Sequence, residues 1–156
     1  MRIRPASLRD YEAMCALFDE LDEFHRKARP EMFQPFAGPA RTREQVARWL
    51  SEAASTILVA ESEEGVVGLA VLLTRPASPF AGAVPRKVIE LDNVVVRPDQ
   101  RGKKIGRRLL AAALDWVRDR KGTHLEVSVH SFNKDARRFY EGFGFQPSID
   151  RLMLTA

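Results

Sequence analysis

The segment from Val94 to Arg108 constrains the fold more than any other part of the chain. A run of valines typical of a buried strand leads directly into the turn Pro98–Gly102, and a helical apolar pattern follows from Ile105. Six cations surround the start of that helix, namely Arg97, Arg101, Lys103, Lys104, Arg107 and Arg108. Each such cation opposes the helix dipole by about 0.3–1 kcal/mol, so the arrangement favours an anion bound at this point.

Periodicity along the rest of the chain predicts the order strand, two helices, three strands, helix, strand, helix, strand. The strands that follow the second helix are expected at Thr56–Ser62, Val66–Thr74, Lys87–Arg97, His124–Val129 and Arg151–Leu154, with a helix at Lys134–Phe143. No repeat, flexible linker or second core pattern divides the 156 residues. We therefore expect a single α/β (α+β) domain over residues 1–156, built on one mixed sheet.

Composition limits the classes of partner. Hydrophobic residues make up 45% of the chain and charged residues 29%, and the apolar stretches are too short to cross a bilayer. The N-terminus is charged where a signal peptide would be apolar, and Cys15 is the only cysteine, so we expect a soluble, cytoplasmic protein without membrane association. A net charge of +4 suggests an anionic partner, which could be a nucleic acid, a membrane surface or a phosphorylated cofactor.

The basic helix start has two interpretations. It is either a solvated basic face or a phosphate site, and its position directly after an apolar strand favours the second. Walker-type and G-x-G-x-x-G phosphate motifs are both missing from the sequence. Gly102 and Gly106 are expected to let the phosphates of a ligand approach the backbone.

A second motif spans Asn133 to Phe145. Asn133 is suited to cap a helix, Ala136 to permit close helix packing, and Gly144 to allow the turn that follows. Phe139 and Phe143 are expected to face the core, while the neighbouring Tyr140 must point in another direction. Packing alone could explain much of this pattern.

Together, the two motifs resemble those of the GNAT superfamily of N-acetyltransferases. The first resembles the acetyl-coenzyme A signature, [QR]-x-x-G-x-[GA], with Arg101 in its first position and Gly106 in its last. Lys104 stands where the family usually has glycine, and it could either crowd the pyrophosphate or add a positive charge. The second motif is similar to N-x-x-A-x-x-[FL]-Y-x-x-x-G-F at every named position. The resemblance implies the GNAT acyl-CoA N-acyltransferase fold, with helices flanking a mixed central sheet.

The resemblance also implies acetyl-CoA as co-substrate. Val94 and Val96 would bond the pantetheine arm like an added strand, and the amide near Val95 or Val96 would polarise the thioester carbonyl. The residues implied in binding acetyl-CoA are Val94, Val95, Val96, Arg101, Gly102, Lys103, Lys104, Ile105, Gly106, Arg107, Asn133 and Tyr140.

Two catalytic roles follow from the same resemblance. Tyr140 would protonate the departing thiolate, and Glu90 would take the proton of the attacking ammonium. By strand alternation Glu90 is expected on the same face as Val96 and Asp92, and a neighbouring carboxylate would raise its pKa. A cross-strand ion pair is the alternative role for Glu90, and some family members use a water chain as base.

The acceptor side is less constrained by the sequence. His25, near the end of the first helix, and Asp92 are candidates for substrate binding, although a histidine there could simply cap the helix. The other histidines have no partners at metal-ligand spacing, so no metal is expected. The resemblance implies a homodimer, with the C-terminal strand as a contributor.

We expect an N-acetyltransferase that moves acetyl from acetyl-CoA to a primary amine of a small molecule, peptide or protein. Transfer would be direct, in a ternary complex, because Cys15 is the only thiol and nothing suggests an acetyl-enzyme. The alternatives are a catalytically silent acetyl-CoA-binding protein and a basic nucleic-acid-binding module. No aromatic residue interrupts the cations from Arg97 to Leu114, which argues against a nucleic-acid partner.

Overall fold

The computed structural model describes residues 1–156 and contains five strands and four α-helices. In chain order these are β1 (Arg2–Pro5), α1 (Tyr11–Ala28), α2 (Arg43–Ser51), β2 (Ser55–Ser62), β3 (Gly65–Thr74), β4 (Val88–Val96), α3 (Ile105–Asp119), β5 (His124–Val127) and α4 (Lys134–Phe143). Short 3₁₀ turns at Leu8–Asp10 and Pro98–Gln100 stand before α1 and α3. None of the helices combines the length and the apolar composition needed to cross a membrane.

The strands form one sheet in the order β1-β2-β3-β4-β5. All neighbours are antiparallel except β4 and β5, which run parallel and are joined through α3. One face of the sheet carries a core cluster with α3, centred on Leu109, Leu110 and Ala113. The opposite face carries a second cluster with α1 and α2, including Met14, Phe18 and Val46. The predicted mixed sheet between helices is thereby confirmed.

Local sequence signals explain where the elements begin. The Thr42 hydroxyl accepts a hydrogen bond from the Gln45 amide at 3.2 Å and caps α2. Asn133 caps α4 in the same way, through a 3.1 Å bond from the Ala136 amide to its Oδ1. At the β2–β3 turn Gly65 has a φ of 97°, a conformation that side chains other than glycine disfavour.

A β-bulge in β4 divides this strand into two halves. Leu91 pairs with Leu72 of β3, but the next paired residue is Asn93, opposite Val71, so Asp92 is extra. Before the bulge Ile89 and Leu91 face the α3 cluster. After it the alternation is reversed, because Val94 and Val96 pack on the α3 side while Val95 belongs to the α1 cluster.

The sequence prediction was wrong for two strands. The fifth strand ends at Val127 instead of Val129, and the strand expected at Arg151–Leu154 is not formed. No backbone hydrogen bond outside the regular elements involves residues 146–156, all of which are exposed. The apolar alternation of this segment is suitable for a strand, but a strand also needs a neighbour whose backbone groups are free, and the segment contacts none.

Candidate active site

The two parallel strands, β4 and the edge strand β5, separate where the predicted site begins. The pairing of β4 with β5 covers Val88–Leu91 and ends there, whereas the pairing of β4 with β3 continues to Val96. The bulge at Asp92 marks the point of separation. From Asn93 onward β4 therefore has a strand neighbour on one side only, and its other edge is open to a ligand that can bond like a strand.

The open edge leads directly into the turn before α3. Gly102 and Lys104 both have left-handed backbones, with φ of 78° and 63°, and α3 begins at Ile105. The amides of residues 102–104, Gly106 and Arg107 donate no hydrogen bond within the chain. Free backbone amides at the start of a helix carry partial positive charge and can bind an anion, and we refer to this turn, residues 102–107, as the concavity before α3.

The cations of this turn differ in what they contact. Arg97 forms ion pairs with Glu64 and with Asp99. Lys103 donates to the Gln100 side chain at 3.0 Å, and Arg101 donates through Nε to the Val96 carbonyl at 3.1 Å. Arg108 turns away and donates to the carbonyl of Met1 at 3.1 Å. Lys104 and Arg107 are exposed at the helix start, so they add positive charge to the concavity without a carboxylate partner in the chain.

Packing explains the residue types at positions 105 and 106. Ile105 is buried in the α3 cluster, so only its backbone can face a ligand. A Cβ on Gly106 would lie 3.0 Å from Cζ of Phe139. A side chain here would displace the Phe139 ring by a few tenths of an ångström, so glycine favours close approach of α4; the predicted role of making room for phosphate stays a prediction. Phe139 itself is 37% exposed instead of facing the core.

Helix α4 places Tyr140 against the α3 side of the sheet. Its ring packs on the α3 cluster, as do Val94 and Val96, and contacts the Phe145 ring with centroids 5.5 Å apart. Burial raises the pKa of Tyr140 to about 12, and no hydrogen bond within the chain contributes to the shift. The phenol therefore keeps its proton over the whole physiological pH range, as an acid catalyst must. Asn133, predicted to bind cofactor, is engaged through Oδ1 as the α4 cap.

Glu90 lies on the face opposite to the predicted one. Because the bulge shifts the alternation of side chains between Glu90 and Val96, Glu90 lies on the face of the sheet that carries Asn93 and Val95. In β3, the residue paired with Glu90 is Leu73. Glu90 Oε1 is 2.8 Å from Nη2 of Arg75, so the cross-strand ion pair weighed as the alternative is present. In β5, the residue paired with Glu90 is Glu126, a further carboxylate.

Asp92 combines surface access with a perturbed carboxylate. The residue as a whole is exposed at the bulge, but its carboxylate group is partly buried by the surrounding protein. This partial burial and then the charge of Glu90 raise the pKa of Asp92, while Arg41 acts in the opposite direction. A carboxylate with a raised pKa is a better proton acceptor than an ordinary aspartate.

Sequence reasoning missed a polar chain that connects this carboxylate to α1. Arg41 forms an ion pair with Asp22 of α1 and donates to Asn93 Oδ1 at 2.7 Å. The amide of the Asn93 side chain in turn donates to Asp92. Arg41 also stacks on the Phe18 ring, with its guanidinium carbon 4.5 Å from the centroid. The loop before α2 is thus fixed to the bulge, and no local motif could have indicated contacts so distant in sequence.

His25 is placed in an aromatic cluster. Its ring lies 5.3 Å from the His130 ring and 5.6 Å from Phe33, between centroids, and Phe24 and Phe132 complete the group. Nδ1 is 2.9 Å from the Leu21 carbonyl, which fits the alternative of a helix-end hydrogen bond. Burial, with His25 and Arg29 nearby, lowers the pKa of His130. The cluster joins the end of α1 to the loop that leaves β5.

Two open cavities lie beside α1. Their volumes are about 330 and 390 Å³, they adjoin Asp19 and Gly38, and neither is lined by a predicted site residue. No group of three His, Cys, Asp or Glu side chains is arranged to hold a metal ion. The features that suit catalysis are those at the open edge of β4.

Comparison with known proteins identifies the family of the chain. A model of the acetyltransferase (GNAT) family matches residues 16–145. The uncharacterized N-acetyltransferase YhfO of Bacillus subtilis is 29% identical over 146 residues, covering 94% of this chain and 90% of its own. An uncharacterized N-acetyltransferase of Archaeoglobus fulgidus is 32% identical over 127 residues, which is 78% of this chain and 84% of that protein.

Solved structures show the same fold. The BH1408 protein of Bacillus halodurans, in a tetramutant form, superposes with a TM-score of 0.93 over 100% of both chains at 24% identity. The aminoglycoside N-acetyltransferase AAC(6')-Iy, solved in complex with CoA, superposes with a TM-score of 0.74 at 15% identity, over 99% of this chain and 98% of that one. Since the family match covers most of the sequence and the fold agrees throughout, the chain belongs to the GNAT family and is an acetyltransferase.

Proposed function

We propose that the protein transfers the acetyl group of acetyl-CoA to a primary amine. The observation that carries this proposal is the open edge of β4, which continues without interruption into the concavity of amides before α3. The pantetheine arm of coenzyme A contains amides that can hydrogen-bond to a free strand edge. Its pyrophosphate is an anion that can bind at the free backbone amides of the turn that follows.

The residues present fit this co-substrate. Val94 and Val96 offer the edge for the two amides of the pantetheine arm, and residues 102–107 offer backbone donors for the pyrophosphate. Lys104 and Arg107 supply charge next to those donors. Acetyl-CoA supplies the activated thioester, whose carbonyl oxygen would accept from the backbone amide near Val95 or Val96.

Tyr140 is the proposed acid. The amine nitrogen attacks the thioester carbon, a C–N bond forms, and the C–S bond breaks with the electron pair leaving on sulfur. Tyr140 then gives its proton to the thiolate. Its position on the α3 side, beside the cluster that Val94 and Val96 also contact, supports this role.

The carboxylate pair Glu90 and Asp92 is the proposed base. The acceptor must lose its ammonium proton before it can attack, and both carboxylates lie on or next to the half of β4 where the strands separate. Glu126 adds a third negative charge in register with Glu90. Together they favour an acceptor that arrives as an ammonium ion, with His25 and its aromatic cluster on the same side as a further candidate contact.

Direct transfer is the proposed route. Cys15 is half-buried on the α1 face of the sheet, whereas Tyr140 packs on the α3 face, so the only thiol of the chain lies on the face opposite to the proposed acid. The acceptor attacks while both substrates are bound, and no acetylated Cys15 should be detectable by mass spectrometry during turnover.

The test is calorimetric titration with acetyl-CoA and with 3′-dephospho-acetyl-CoA, followed by thiol release on a panel of primary amines. Micromolar binding and amine-dependent thiol release are expected. Binding without turnover on any amine would indicate a silent acetyl-CoA-binding protein. No binding, with DNA bound instead, would refute the assignment of residues 101–107 to coenzyme A.

A further inference from the structure

Arg41, in the loop before α2, is held in place by contacts on several sides. Its Nη1 donates to Oδ2 of Asp22 at 2.5 Å, and its Nη2 donates to Oδ1 of Asn93 at 2.7 Å. The guanidinium lies over the Phe18 ring, and the Tyr11 hydroxyl donates to the Arg41 carbonyl at 2.8 Å. The planar fork of arginine can bond two acceptors in fixed directions while it stacks on a ring, which the point charge of lysine cannot. The backbone and the side chain of Arg41 are therefore both fixed.

Arg41 determines which way the amide of Asn93 points. A guanidinium has only donors, so its bond must go to the amide oxygen, Oδ1. The NH₂ group of the same amide then faces the other way, where it donates to Oδ2 of Asp92. Asn93 is buried, so water cannot readily replace either partner. The chain of bonds thus orients the Asp92 carboxylate and leaves its Oδ1 without a hydrogen bond from the protein.

Arg41 is also the main cation that acts on Asp92. Glu90, on the same strand, is negative, and the Asn93 amide donates to the carboxylate. The other cation, Arg75, follows β3 and is already paired with Glu90 at 2.8 Å between Nη2 and Oε1. Partial burial and then Glu90 raise the pKa of Asp92, and Arg41 comes first among the groups that lower it.

We propose that Arg41 is a positioning residue for the reaction, which acts through Asn93 to hold the Asp92 carboxylate with Oδ1 available to the ammonium group of the acceptor. The inference rests on the proposed function, because it takes Asp92 as a proton acceptor. In this step an N–H bond of the ammonium breaks, its electron pair stays on nitrogen, and the proton goes to Oδ1. The neutral amine can then attack the thioester carbon. Arg41 contributes by fixing the carboxylate in advance, so that less orientation has to be achieved during the reaction.

The test measures kcat as a function of pH in variants of Arg41. Arg41→Met removes both the fork and the charge. We expect kcat to fall about 10- to 100-fold and the acidic limb of the profile to move to higher pH, because the pKa of Asp92 rises without the cation. Arg41→Lys keeps the charge, so the limb should stay near its wild-type position while kcat still falls, because the two directional bonds are lost.

Asp22→Asn should move the acidic limb in the opposite direction. It keeps an oxygen that Arg41 can bond but removes the negative charge that offsets the guanidinium. The pKa of Asp92 should then fall, so the limb should move to lower pH with little change in kcat. A loss of packing alone would not move the limb in opposite directions in Arg41→Met and Asp22→Asn.

Arg43→Met is the matched control. Arg43 is the next arginine along the chain and also stacks on a ring, with its guanidinium carbon 4.7 Å from the Tyr11 centroid, but it makes no hydrogen bond to the bulge. It should leave kcat and the pH profile unchanged. Calorimetry should give the same acetyl-CoA affinity for all variants, which also shows that they are folded. Titration of the carboxyl carbons by NMR, with the Asp92 signal assigned from Asp92→Asn, should show the same shifts without turnover.

The outcomes separate this role from the proposed function. If the wild type turns over and Arg41→Met has the same kcat and pH profile, the positioning role is refuted and the proposed function stands. The same holds if the limb moves in one direction in both Arg41→Met and Asp22→Asn. Should Arg41→Met fail to fold, an unmoved limb in Asp22→Asn overturns the role. A wild type that binds acetyl-CoA but releases no thiol with any amine would refute the proposed function, and the positioning role with it.

Discussion

Lys104→Gly isolates the consequence of placing lysine where the family signature has glycine. Lys104 adopts φ 63° and ψ 15° as the N-cap of α3, and its side chain makes no capping hydrogen bond. The left-handed region is unfavourable for a residue with a Cβ. The substitution therefore removes backbone strain and, at the same position, one positive charge from the anion site.

The two effects have opposite signs and can be separated. Relief of the left-handed conformation contributes about 1–2 kcal/mol, and the added entropy of glycine in the unfolded chain takes back about 0.5–1 kcal/mol. Since Lys104 is exposed, little packing is lost. The net gain is between about 0 and 1.5 kcal/mol, or roughly 0–6 °C in Tm for a chain of this size. Loss of the charge should weaken acetyl-CoA binding by about two- to fivefold.

Lys121→Gly is the matched control. Lys121 is the other non-glycine residue with a left-handed backbone, φ 56°, and lies beyond the far end of α3. It should raise Tm by a similar amount without any change in acetyl-CoA affinity. Thermal denaturation and calorimetry of both variants measure the two effects. A lower Tm for Lys104→Gly would refute the strain argument, and tighter acetyl-CoA binding would show that Lys104 crowds the site instead of adding useful charge.

Three further substitutions test the roles assigned above. Tyr140→Phe should lower kcat by about 10²- to 10⁴-fold with little change in the KM for acetyl-CoA, whereas an equal loss of cofactor affinity would indicate a packing role. Glu90→Gln should slow the reaction and move the acidic limb of the kcat profile to lower pH, because one cause of the raised pKa of Asp92 is removed; an unchanged profile would exclude the carboxylate pair as base. Asp10→Asn should cost about 1.5–3 kcal/mol at pH 7 in urea denaturation. Arg4 holds the pKa of Asp10 at about 2, so this stabilisation is present above the unfolded pKa of about 3.9 and is lost as pH falls toward 2; equal losses at pH 7 and pH 2 would contradict it.

Much of the fold was accessible from the sequence because its signals are local. The amphipathic pattern of α3 and the caps Thr42 and Asn133 act within one or two helical turns, and the structure has the elements they predict. The strand expected at Arg151–Leu154 depends on signals that are not local. Its pattern specifies a strand, but pairing depends on a neighbour, and that information lies outside the segment.

For the same reason, the sequence could predict the part of the candidate site that one continuous segment forms. The run from Val94 to Arg107 forms the predicted strand, turn and helix start, and its binding of coenzyme A stays a prediction. The alternation argument for Glu90 failed because a single extra residue, Asp92, reverses the faces of the strand. The polar pair Asp92-Asn93 does break the alternation of Ile89, Glu90 and Leu91, and both residue types are depleted in strands, but the valines that follow do not show which face each of them takes.

The bulge explains why the unpredicted contacts meet where they do. It turns Asn93 toward the α1 side, where Arg41 can reach both its side chain and Asp22. At the same point β4 parts from β5, so the edge becomes free just where Asp92 projects from the strand. One inserted residue thereby sets the opening of the strands, the placement of a carboxylate and the attachment of the loop before α2. Deleting Asp92 should therefore disturb all three together, whereas Asp92→Asn should leave the divergence of the strands intact and affect only proton transfer.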